Sequence, residues 1–504
     1  MRTRRVDWVQ DSAVVWIAIT LLLAVSPAAR GEDLFFAASA YAAGPGGSEF
    51  VHELEVLNPS SSTASFVLAW LPRGESNLNP LTAELTVGPG QVTRFSNVLS
   101  EAFGLGPNVV GALEVQSTTR DLVFHSTILN VDGTATIGQV IPAAPESTGF
   151  AGSDVAYILG LAENTELRSN FWCVNTTDLP IVVTAQLIRS DGVQLDVVTI
   201  PLPPLSNAQY NRVFQAFSPV EGYIRLSTPT VDGRAICDGV VVSNVSNDPA
   251  TQPGETQAPA GLELYLPDAV QSATESTSLD LFAPAASTVV RIELLPTGED
   301  NTNPASVDVA ISGGHVARLD HVLADAFGYQ GTAALRLSAT GSVLMASSRT
   351  VQATPAGPVS WWVPALPSGD AFVDSDEVAL IHLREGAGDR TDIGFVNATA
   401  APLDLDLALF DGGGTHLGSI PVHVPPYGHE QIDGAFTASG HPDVPVGFAV
   451  VTTSTAGGLF FASATVTDLA TLDAYHVSGH RIRAPLFADG FETGDTTAWS
   501  TTVP

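Results

Sequence analysis

A decapeptide that occurs twice limits the folds open to this chain more than any other feature. Residues 71–80 read LPRGESNLNP and residues 295–304 read LPTGEDNTNP, so seven of ten positions are identical although the copies lie in different halves of the chain. A segment so rich in turn-forming residues does not recur this closely by chance, which indicates an internal duplication. A segment that ends in the dipeptide Ala-Phe indicates the same, because it recurs four times at nearly even spacing, with the dipeptide beginning at Ala102, Ala216, Ala326 and Ala435.

These markers predict four units, at residues 33–145, 153–255, 261–368 and 376–485. The first and third units share the decapeptide. The second and fourth share an opening segment, ILGL against LIHL, and a later pair of prolines. Three units also end a strand-like run at an asparagine, which the third unit lacks: Asn58, Asn175 and Asn397. The pattern is A-B-A′-B′, a pair of domains duplicated as a pair.

The local sequence pattern within each unit is that of β-strands. Residues 403–409 read LDLDLAL, which places Asp404 and Asp406 on one face of a strand and four leucines on the other. The 45 glycines and 34 prolines are spread along the chain and separate many short strands. We therefore expect an all-β protein of four tandem immunoglobulin-like β-sandwiches, with a short helical turn before each Ala-Phe and almost no other helix.

The charge of the chain excludes one class of partner. The formal net charge is −33, and all 20 basic residues are arginines. Such a surface repels phosphate backbones and anionic lipids, so we expect no nucleic acid and no anionic membrane among the partners. Candidate partners are a cell-surface protein or a polysaccharide.

The segment at 1–31 has the pattern of a secretory signal peptide. Arg2, Arg4 and Arg5 precede an apolar run at residues 13–25, and small residues follow it. The run is shorter than the roughly 20 residues of a spanning helix, although an uncleaved anchor remains the alternative. No later stretch is long and apolar enough to span a membrane. The sequence thus predicts a secreted or cell-surface protein.

The only two cysteines, Cys173 and Cys237, are candidates for a disulfide in an oxidising compartment. Aligning the second unit with the fourth places Phe395 opposite Cys173 and Ala462 opposite Cys237. A large and a small apolar residue thus replace the cysteines, which suggests that the two positions face each other across the core, as in the cross-sheet disulfide of immunoglobulin domains. Two buried thiols are the alternative.

Two further groups of residues are weak candidates for binding. Seven of the eleven histidines lie in the last unit, and His476 and His480 have the spacing of a metal pair on a helix. The segment reads as strand and turn, so we expect solvated histidines and no metal. The pair Trp361 and Trp362 could stack on a sugar ring, whereas packing at a strand edge is the simpler interpretation.

Enzyme signatures are missing from the sequence. It contains no Gly-x-Ser-x-Gly elbow, no His-Glu-x-x-His, no phosphate-binding loop and no dinucleotide fingerprint. No pair of carboxylates is placed as a glycosidase requires. We therefore expect no catalytic residue, no cofactor and no enzyme.

Two segments resemble known secreted bacterial proteins. The third unit carries AFGY at 326–329, ALRL at 334–337 and SRT at 348–350, and the first carries FG at 103–104 and GALEV at 111–115. These resemble repeats of large secreted bacterial proteins of no assigned activity. The tail at 486–504 contains DGFETGDTTAWS, which resembles a segment near the C-termini of many secreted bacterial proteins. The resemblance implies export and no particular activity.

Together these features predict an exported, non-enzymatic protein that forms an extracellular structural or adhesive rod. A carbohydrate-binding protein is the alternative, and a secreted hydrolase ranks third. Fold resemblance alone assigns none of these functions.

Overall fold

The computed structural model describes residues 33–44, 47–117, 122–132, 135–256, 263–340 and 343–483. The predicted signal peptide at 1–31 and the tail at 486–504 lie outside these residues. The described chain is mostly β-strand, in six sheets, which confirms the all-β prediction. None of its helices has the length and apolar character needed to cross a membrane.

The strands fall into four successive groups. The first group contains β1 (Leu34–Ala43), β2 (Glu49–Asn58), β3 (Ala64–Pro72), β4 (Leu81–Val87), β5 (Gln91–Phe95), α1 (Val98–Glu101), β6 (Val109–Ser117), β7 (Val123–Asp132), β8 (Ala135–Val140) and β9 (Ala144–Pro145). The second contains β10 (Phe150–Ala151), β11 (Ala156–Glu163), β12 (Leu167–Asn175), β13 (Ile181–Arg189), β14 (Gln194–Leu202), β15 (Asn207–Tyr210), β16 (Val220–Ser227), β17 (Arg234–Ser243), β18 (Pro249–Pro253) and β19 (Glu255–Thr256).

The second half of the chain continues in the same way. The third group contains β20 (Leu264–Gln271), β21 (Glu275–Phe282), β22 (Thr288–Pro296), β23 (Ser306–Ile311), β24 (Val316–Leu319), α2 (Val322–Phe327), β25 (Gly331–Ala339), β26 (Met345–Gln352), β27 (Val359–Pro364) and β28 (Leu366–Pro367). The fourth contains β29 (Phe372–Val373), β30 (Glu377–Glu385), β31 (Asp389–Asn397), β32 (Leu403–Asp411), β33 (His416–Val424), β34 (His429–Ile432), α3 (Ala435–Ala438), β35 (Val444–Thr453), β36 (Leu459–Asp468), β37 (Ala474–Ser478) and β38 (His480–Arg483).

Short helical turns accompany the Ala-Phe dipeptides, as predicted. In the first, third and fourth groups they are α1, α2 and α3, and in the second group the turn is a 3-10 helix at Gln215–Phe217. Two further 3-10 turns, Glu146–Thr148 and Ser368–Asp370, lead into the second and fourth groups.

The strands of all four groups pair in the same order. In the first group β4, β3, β6, β1 and β9 form one layer, and β5, β2, β7 and β8 form the other. In the first and third groups the opening strand also pairs with the second strand, which joins both layers into one nine-stranded sheet. In the second and fourth groups the layers are separate five-stranded sheets, each group having one extra short strand, β10 or β29.

Each group packs its layers around a core of its own. In the second group the core joins Ile158 of one sheet to Phe171 and Val241 of the other. The alternation predicted for residues 403–409 is confirmed in β32, where the four leucines are buried and Asp404 and Asp406 are exposed. Sandwich-like packing of two sheet faces follows from this division of apolar and polar side chains.

The four groups close into a ring, and the expected rod shape is wrong. The first group contacts the fourth through an apolar cluster that contains Leu57, Val123, Ile381 and Phe448. The second contacts the third through Tyr157, Tyr223, Phe282 and other residues. Strands such as β2 are therefore buried on both faces along most of their length, because one face packs in the group's own core and the other against the next group.

Candidate functional site

One late strand of each group, namely β8, β18, β27 or β37, lies at the centre of the ring, where all four groups meet. β8 packs against β18 and β37, and β27 packs against the same two strands. We call this region the central junction and define it by residues 135–143, 248–253, 359–364 and 473–480. Every group contributes to it, so we describe it as the candidate site.

Two aspartates from equivalent positions meet at the central junction. Asp248 of the second group follows Cys237 at the same distance along the chain as Asp473 of the fourth follows Ala462, the counterpart of Cys237. The Asp248 Oδ2 atom accepts a hydrogen bond from the backbone N–H of Ser360 at 2.6 Å. The Asp473 Oδ2 atom accepts one from the backbone N–H of Gly138 at 2.7 Å. The two carboxyl groups also interact electrostatically, so this pair links all four groups.

The aspartate pair must hold a proton. Both side chains are buried, and two buried carboxylates in contact cannot both ionise without strong repulsion. Burial raises the pKa of Asp473 to about 7, and burial together with the Asp473 charge raises the pKa of Asp248 well above its usual range. We did not single out either residue from the sequence, although the alignment of the second and fourth units places them at equivalent positions.

A cavity of about 150 Å³ opens at the central junction. Residues of all four groups line it, with aromatic rings and aliphatic side chains making up most of the wall. Its polar lining includes three histidines, His125, His476 and His480, together with serine, threonine and tyrosine side chains. A second cavity of about 460 Å³ lies on the other side of Trp362, which borders both.

The prediction of solvated histidines is wrong for His382, His429 and His476, which are buried, whereas His480 is exposed as predicted. His125 and His476 are each 6 % exposed, and His382 is fully buried. Burial lowers the pKa of His476 to about 3, and it lowers the pKa of His125 well below the usual range. These side chains lie in strands that a neighbouring group covers, so both faces of the strand exclude water. His476 and His480 lie in different sheets, which removes the reason to regard them as a metal pair.

The two tryptophans do not form an exposed platform. Trp361 is 7 % exposed and packs in the core of the third group. Trp362 points to the other side of β27, is half-buried and lines both cavities. Trp361 is therefore a core residue of the third group. The ring of Trp362 is the one that a small ligand in the cavities could reach.

A charged cluster joins the first and fourth groups beside the junction. Arg94 Nε lies 2.6 Å from Glu53 Oε1, and Arg384 pairs with the same oxygen. Glu55 Oε1 lies 3.3 Å from His382 Nδ1. Burial raises the pKa of Glu55 to about 7 against the opposing effect of both arginines.

The charged cluster is also the group of residues best placed to hold a metal in the described part of the chain. Ligand atoms of Glu53, Glu55 and His382 all lie within 4.8 Å of one another. Arg94 and Arg384 already neutralise the two carboxylates, so a divalent cation would leave a buried net charge of about +2, which is costly. The residues do not fit a metal ion well.

His382 has an unusual backbone conformation. Its φ is 65°, in a bulge of β30 where the equivalent residue of β11 is Gly160, with φ 70°. A side chain in this region of backbone space costs about 1 kcal/mol or more. The His382 ring stacks on His125 at 4.7 Å between centroids, and the Tyr475 hydroxyl donates to the His382 carbonyl at 2.7 Å. The stacking on His125 crosses the interface to the first group, the Tyr475 bond lies within the fourth group, and both contacts offset the strain.

The repeated decapeptide forms a clasp between neighbouring groups. The Asn77 side chain donates to the carbonyls of Pro72, Glu75 and Leu205, the last at 2.7 Å in the second group. Asn301 makes the corresponding bonds in the second half of the chain, the last of them to Tyr427 at 3.2 Å. The acceptors Leu205 and Tyr427 directly follow the proline pairs that the second and fourth groups share. The decapeptide of one group therefore contacts the proline-pair loop of the next group.

The sulfur atoms of Cys173 and Cys237 are bonded. The two residues lie directly opposite each other on β12 and β17 of one sheet, with Cα atoms 4.0 Å apart. The expected cross-sheet position is therefore wrong. Phe395 and Ala462 oppose each other in the same way on β31 and β36. In the fourth group, this large and small apolar pair therefore takes the place of the two cysteines on one face of one sheet.

Comparisons with known proteins add little to this geometry. No protein-family model matches the chain, and no curated protein matches it. Among solved structures, dimeric latent PorU from Porphyromonas gingivalis is similar over 70 % of this chain and 31 % of its own, at 10 % identity and a TM-score of 0.13. The matched part is thus under a third of that protein, and a likeness this weak supports no statement about fold or function.

Proposed function

We propose that the chain consists of four immunoglobulin-like sandwiches that arose as a duplicated pair, A-B-A′-B′. Three observations support this origin. The groups share one order of strand pairing, one-sheet groups alternate with two-sheet groups, and Asp248 and Asp473 lie at equivalent positions of the second and fourth groups.

We infer that the protein is exported and non-enzymatic, with a structural or adhesive role outside the cell. The pattern of residues 1–31 and the resemblance of the tail support export. The ring is the observation that carries the role: each group is held by two neighbours, so the outer surfaces keep fixed relative positions. A rigid body of this kind can engage one extended partner at several places, which raises overall affinity.

The connecting loops, more than the sheet edges, are suited to recognition. The edge strands β4, β14, β23 and β33 each pair on one side only. They carry Pro201 and Pro421, which lack an N–H, and the acidic residues Glu84 and Asp308. Such residues discourage pairing with another chain. Among the described large apolar side chains that are exposed, Val231 and Val245 in loops of the second group are the most so, at 78 % and 60 %.

A capture experiment from the surface fraction of the producing cell tests this function. The full chain should retain a surface protein or polysaccharide, and the double variant Val231→Asp/Val245→Asp should retain less of it. The matched control is Asp406→Asn, a change on the exposed face of β32 far from these loops. Recovery of nothing from the surface fraction, or activity in a broad hydrolase screen, would contradict the proposal.

The carbohydrate-binding alternative loses the observation on which it stood, because Trp361 is buried in a core. A glycan array measures it directly. Binding that disappears in Trp361→Ala/Trp362→Ala, in a variant that still folds, would restore that alternative over the structural role.

A further inference from the structure

The chain contains a single Asp-Pro sequence, and it lies at the central junction. Residues 248–249 are the only place where a proline follows an aspartate. Asp248 ends the turn between β17 and β18, and Pro249 begins β18. The peptide bond between them is a tertiary amide whose nitrogen carries no hydrogen. When such a bond breaks, proline leaves as a secondary amine, which takes up a proton readily.

The two oxygens of the Asp248 carboxyl group differ in their contacts. Its Oδ2 atom accepts the backbone N–H of Ser360 at 2.6 Å and the Ser360 hydroxyl at 3.3 Å. Its Oδ1 atom is buried and accepts no hydrogen bond within the described chain. An aspartate side chain is short, so covalent geometry keeps Oδ1 near the carbonyl carbon of the same residue. Oδ1 is therefore the atom that can attack this carbon.

A backbone donor points at the oxygen that would become charged in such an attack. The Ser243 N–H donates to the carbonyl oxygen of Asp248 at 2.8 Å. Attack on the carbonyl carbon turns this oxygen into an oxyanion, and a donor already in place stabilises the developing charge. The turn between β17 and β18 thus holds both the nucleophile and the oxyanion donor.

The surroundings of Asp248 supply a proton and water. Burial raises the pKa of Asp473 to about 7, and burial together with the Asp473 charge raises the pKa of Asp248 well above its usual range. The pair therefore holds a proton at neutral pH, which the leaving nitrogen can take. Pro249 and Ser360 border the central cavity of about 150 Å³, which has room for several water molecules.

The equivalent aspartate of the fourth group provides a comparison within the same chain. The carbonyl oxygen of Asp473 also accepts a backbone N–H, from Asp468 at 2.8 Å. The next residue, however, is Ala474, whose N–H donates to Asp473 Oδ1 at 2.8 Å. Pro249 has no N–H and leaves Oδ1 of Asp248 available. Of the two copies, only that of Asp248 combines an available oxygen with a proline leaving group.

We propose that the chain cleaves itself between Asp248 and Pro249. Asp248 Oδ1 attacks the carbonyl carbon of its own residue, the C–N bond to Pro249 breaks, and the proton held by the aspartate pair passes to the proline nitrogen. The product is a cyclic anhydride of Asp248. Addition of one water molecule opens the anhydride to two carboxyl groups, so the overall change is hydrolysis of one peptide bond.

The cut divides the chain without dividing the fold. β18 and β19 belong to the C-terminal fragment, yet they pair with β17 and β11 of the N-terminal fragment. The two fragments therefore remain in one particle, in which they share the second group. The reaction happens once in each chain, so it goes beyond the proposed structural role without replacing it.

Incubation of the purified full-length protein at neutral and at mildly acidic pH tests this proposal. Denaturing electrophoresis and mass spectrometry should find one fragment that ends at Asp248 and one that begins at Pro249, whereas native size-exclusion chromatography should show an undivided particle. The rate should be independent of protein concentration, because the reaction is intramolecular. A chain that stays intact, a chain cut only at other bonds, or a rate that rises with protein concentration overturns the proposal.

Variants separate self-cleavage from digestion by a contaminating protease. Asp248→Asn keeps an acceptor for Ser360 but has no carboxyl nucleophile, and Pro249→Ala restores an N–H to the bond. Each should slow cleavage by about tenfold or more. Asp406→Asn, on the exposed face of β32, is the control and should be cleaved like the wild type. Unchanged cleavage of the folded Asp248→Asn protein would show that Asp248 is not the nucleophile.

Discussion

The buried carboxyl groups of Asp248 and Asp473 interact at the point where all four groups of strands meet, and the Asp473 charge raises the pKa of Asp248. Each carboxyl group also accepts a backbone N–H from a different neighbouring group, at 2.6 Å from Ser360 and at 2.7 Å from Gly138. Since two adjacent buried carboxylates repel each other, the closed ring favours a state in which at least one of the two aspartates holds a proton.

Asp248→Asn should remove much of the pH dependence of stability. The pKa of Asp473 is raised to about 7 in the folded protein, against about 3.9 when unfolded. The folded state therefore retains a proton that the unfolded state releases. This stabilisation is complete below about pH 4 and is lost as the pH rises to about 7, by up to about 1.4 kcal/mol per pH unit for one proton.

The amide reproduces the protonated carboxyl group. Its oxygen can accept from Ser360, and its NH₂ group can donate to an ionised Asp473 without any added proton. Urea unfolding at a series of pH values should give a smaller slope for Asp248→Asn than for the wild type between pH 4 and 7, whereas the exposed Asp406→Asn should match the wild type. Parallel curves for Asp248→Asn and the wild type would show that the pair is not proton-linked.

Asn77→Ala should destabilise the contact between the first and second groups. The Asn77 side chain donates to three carbonyl groups, one of them across the interface. Their loss should lower the free energy of unfolding by about 1–3 kcal/mol, because buried acceptors lose their donor. Chemical denaturation monitored by tryptophan fluorescence measures this change.

Asn79→Ala is the matched control, since Asn79 lies in the same repeat and is exposed. It should unfold like the wild type. Equal effects of the two substitutions would mean that the decapeptide repeats only for its turn geometry, without a role as a clasp.

The sequence predicted the features that depend on local periodicity. The alternation at residues 403–409 is enough to assign β32 and its buried face, because side chains on a strand alternate between two faces. Aligning the repeats correctly matched Phe395 with Cys173 and Ala462 with Cys237. The alignment alone does not show whether the two members of a pair lie in different sheets or on neighbouring strands of one sheet, because that depends on which strands are neighbours.

The ring escaped prediction because a local pattern cannot distinguish water from a neighbouring group. Glu53 and Glu55 alternate with apolar residues and so read as the solvated face of a strand. They are buried because Arg384 and His382, from the far end of the chain, cover that face. The same holds for His476, whose surroundings come from other groups.

Arg384→Ala should open the contact between the first and fourth groups. Arg384 pairs with Glu53, whose side chain is 2 % exposed. Removing the only partner of a buried charge typically costs about 3–5 kcal/mol, but Arg94 still pairs with Glu53 in this variant, so the loss of stability should be smaller than that. Hydrogen exchange should then accelerate in β2 and β30, on both sides of this interface.

Arg189→Ala, which breaks an exposed pair with Asp191, should change neither stability nor exchange. Unchanged protection of β2 in Arg384→Ala would mean that the apolar cluster alone closes the ring.

The bond between Cys173 and Cys237 should stabilise the second group without being needed for its fold. The bond closes a loop with a sequence separation of 64, for which the chain-entropy model gives about 4 kcal/mol. Phe395 and Ala462 occupy the same paired positions in the fourth group without a bond, so the reduced protein should keep its sheets.

Mass spectrometry without reductant should find the intact bond, and denaturant unfolding with and without reductant should show the loss of stability. Two free thiols in the purified protein would contradict the prediction, and so would unfolding of the second group on reduction alone.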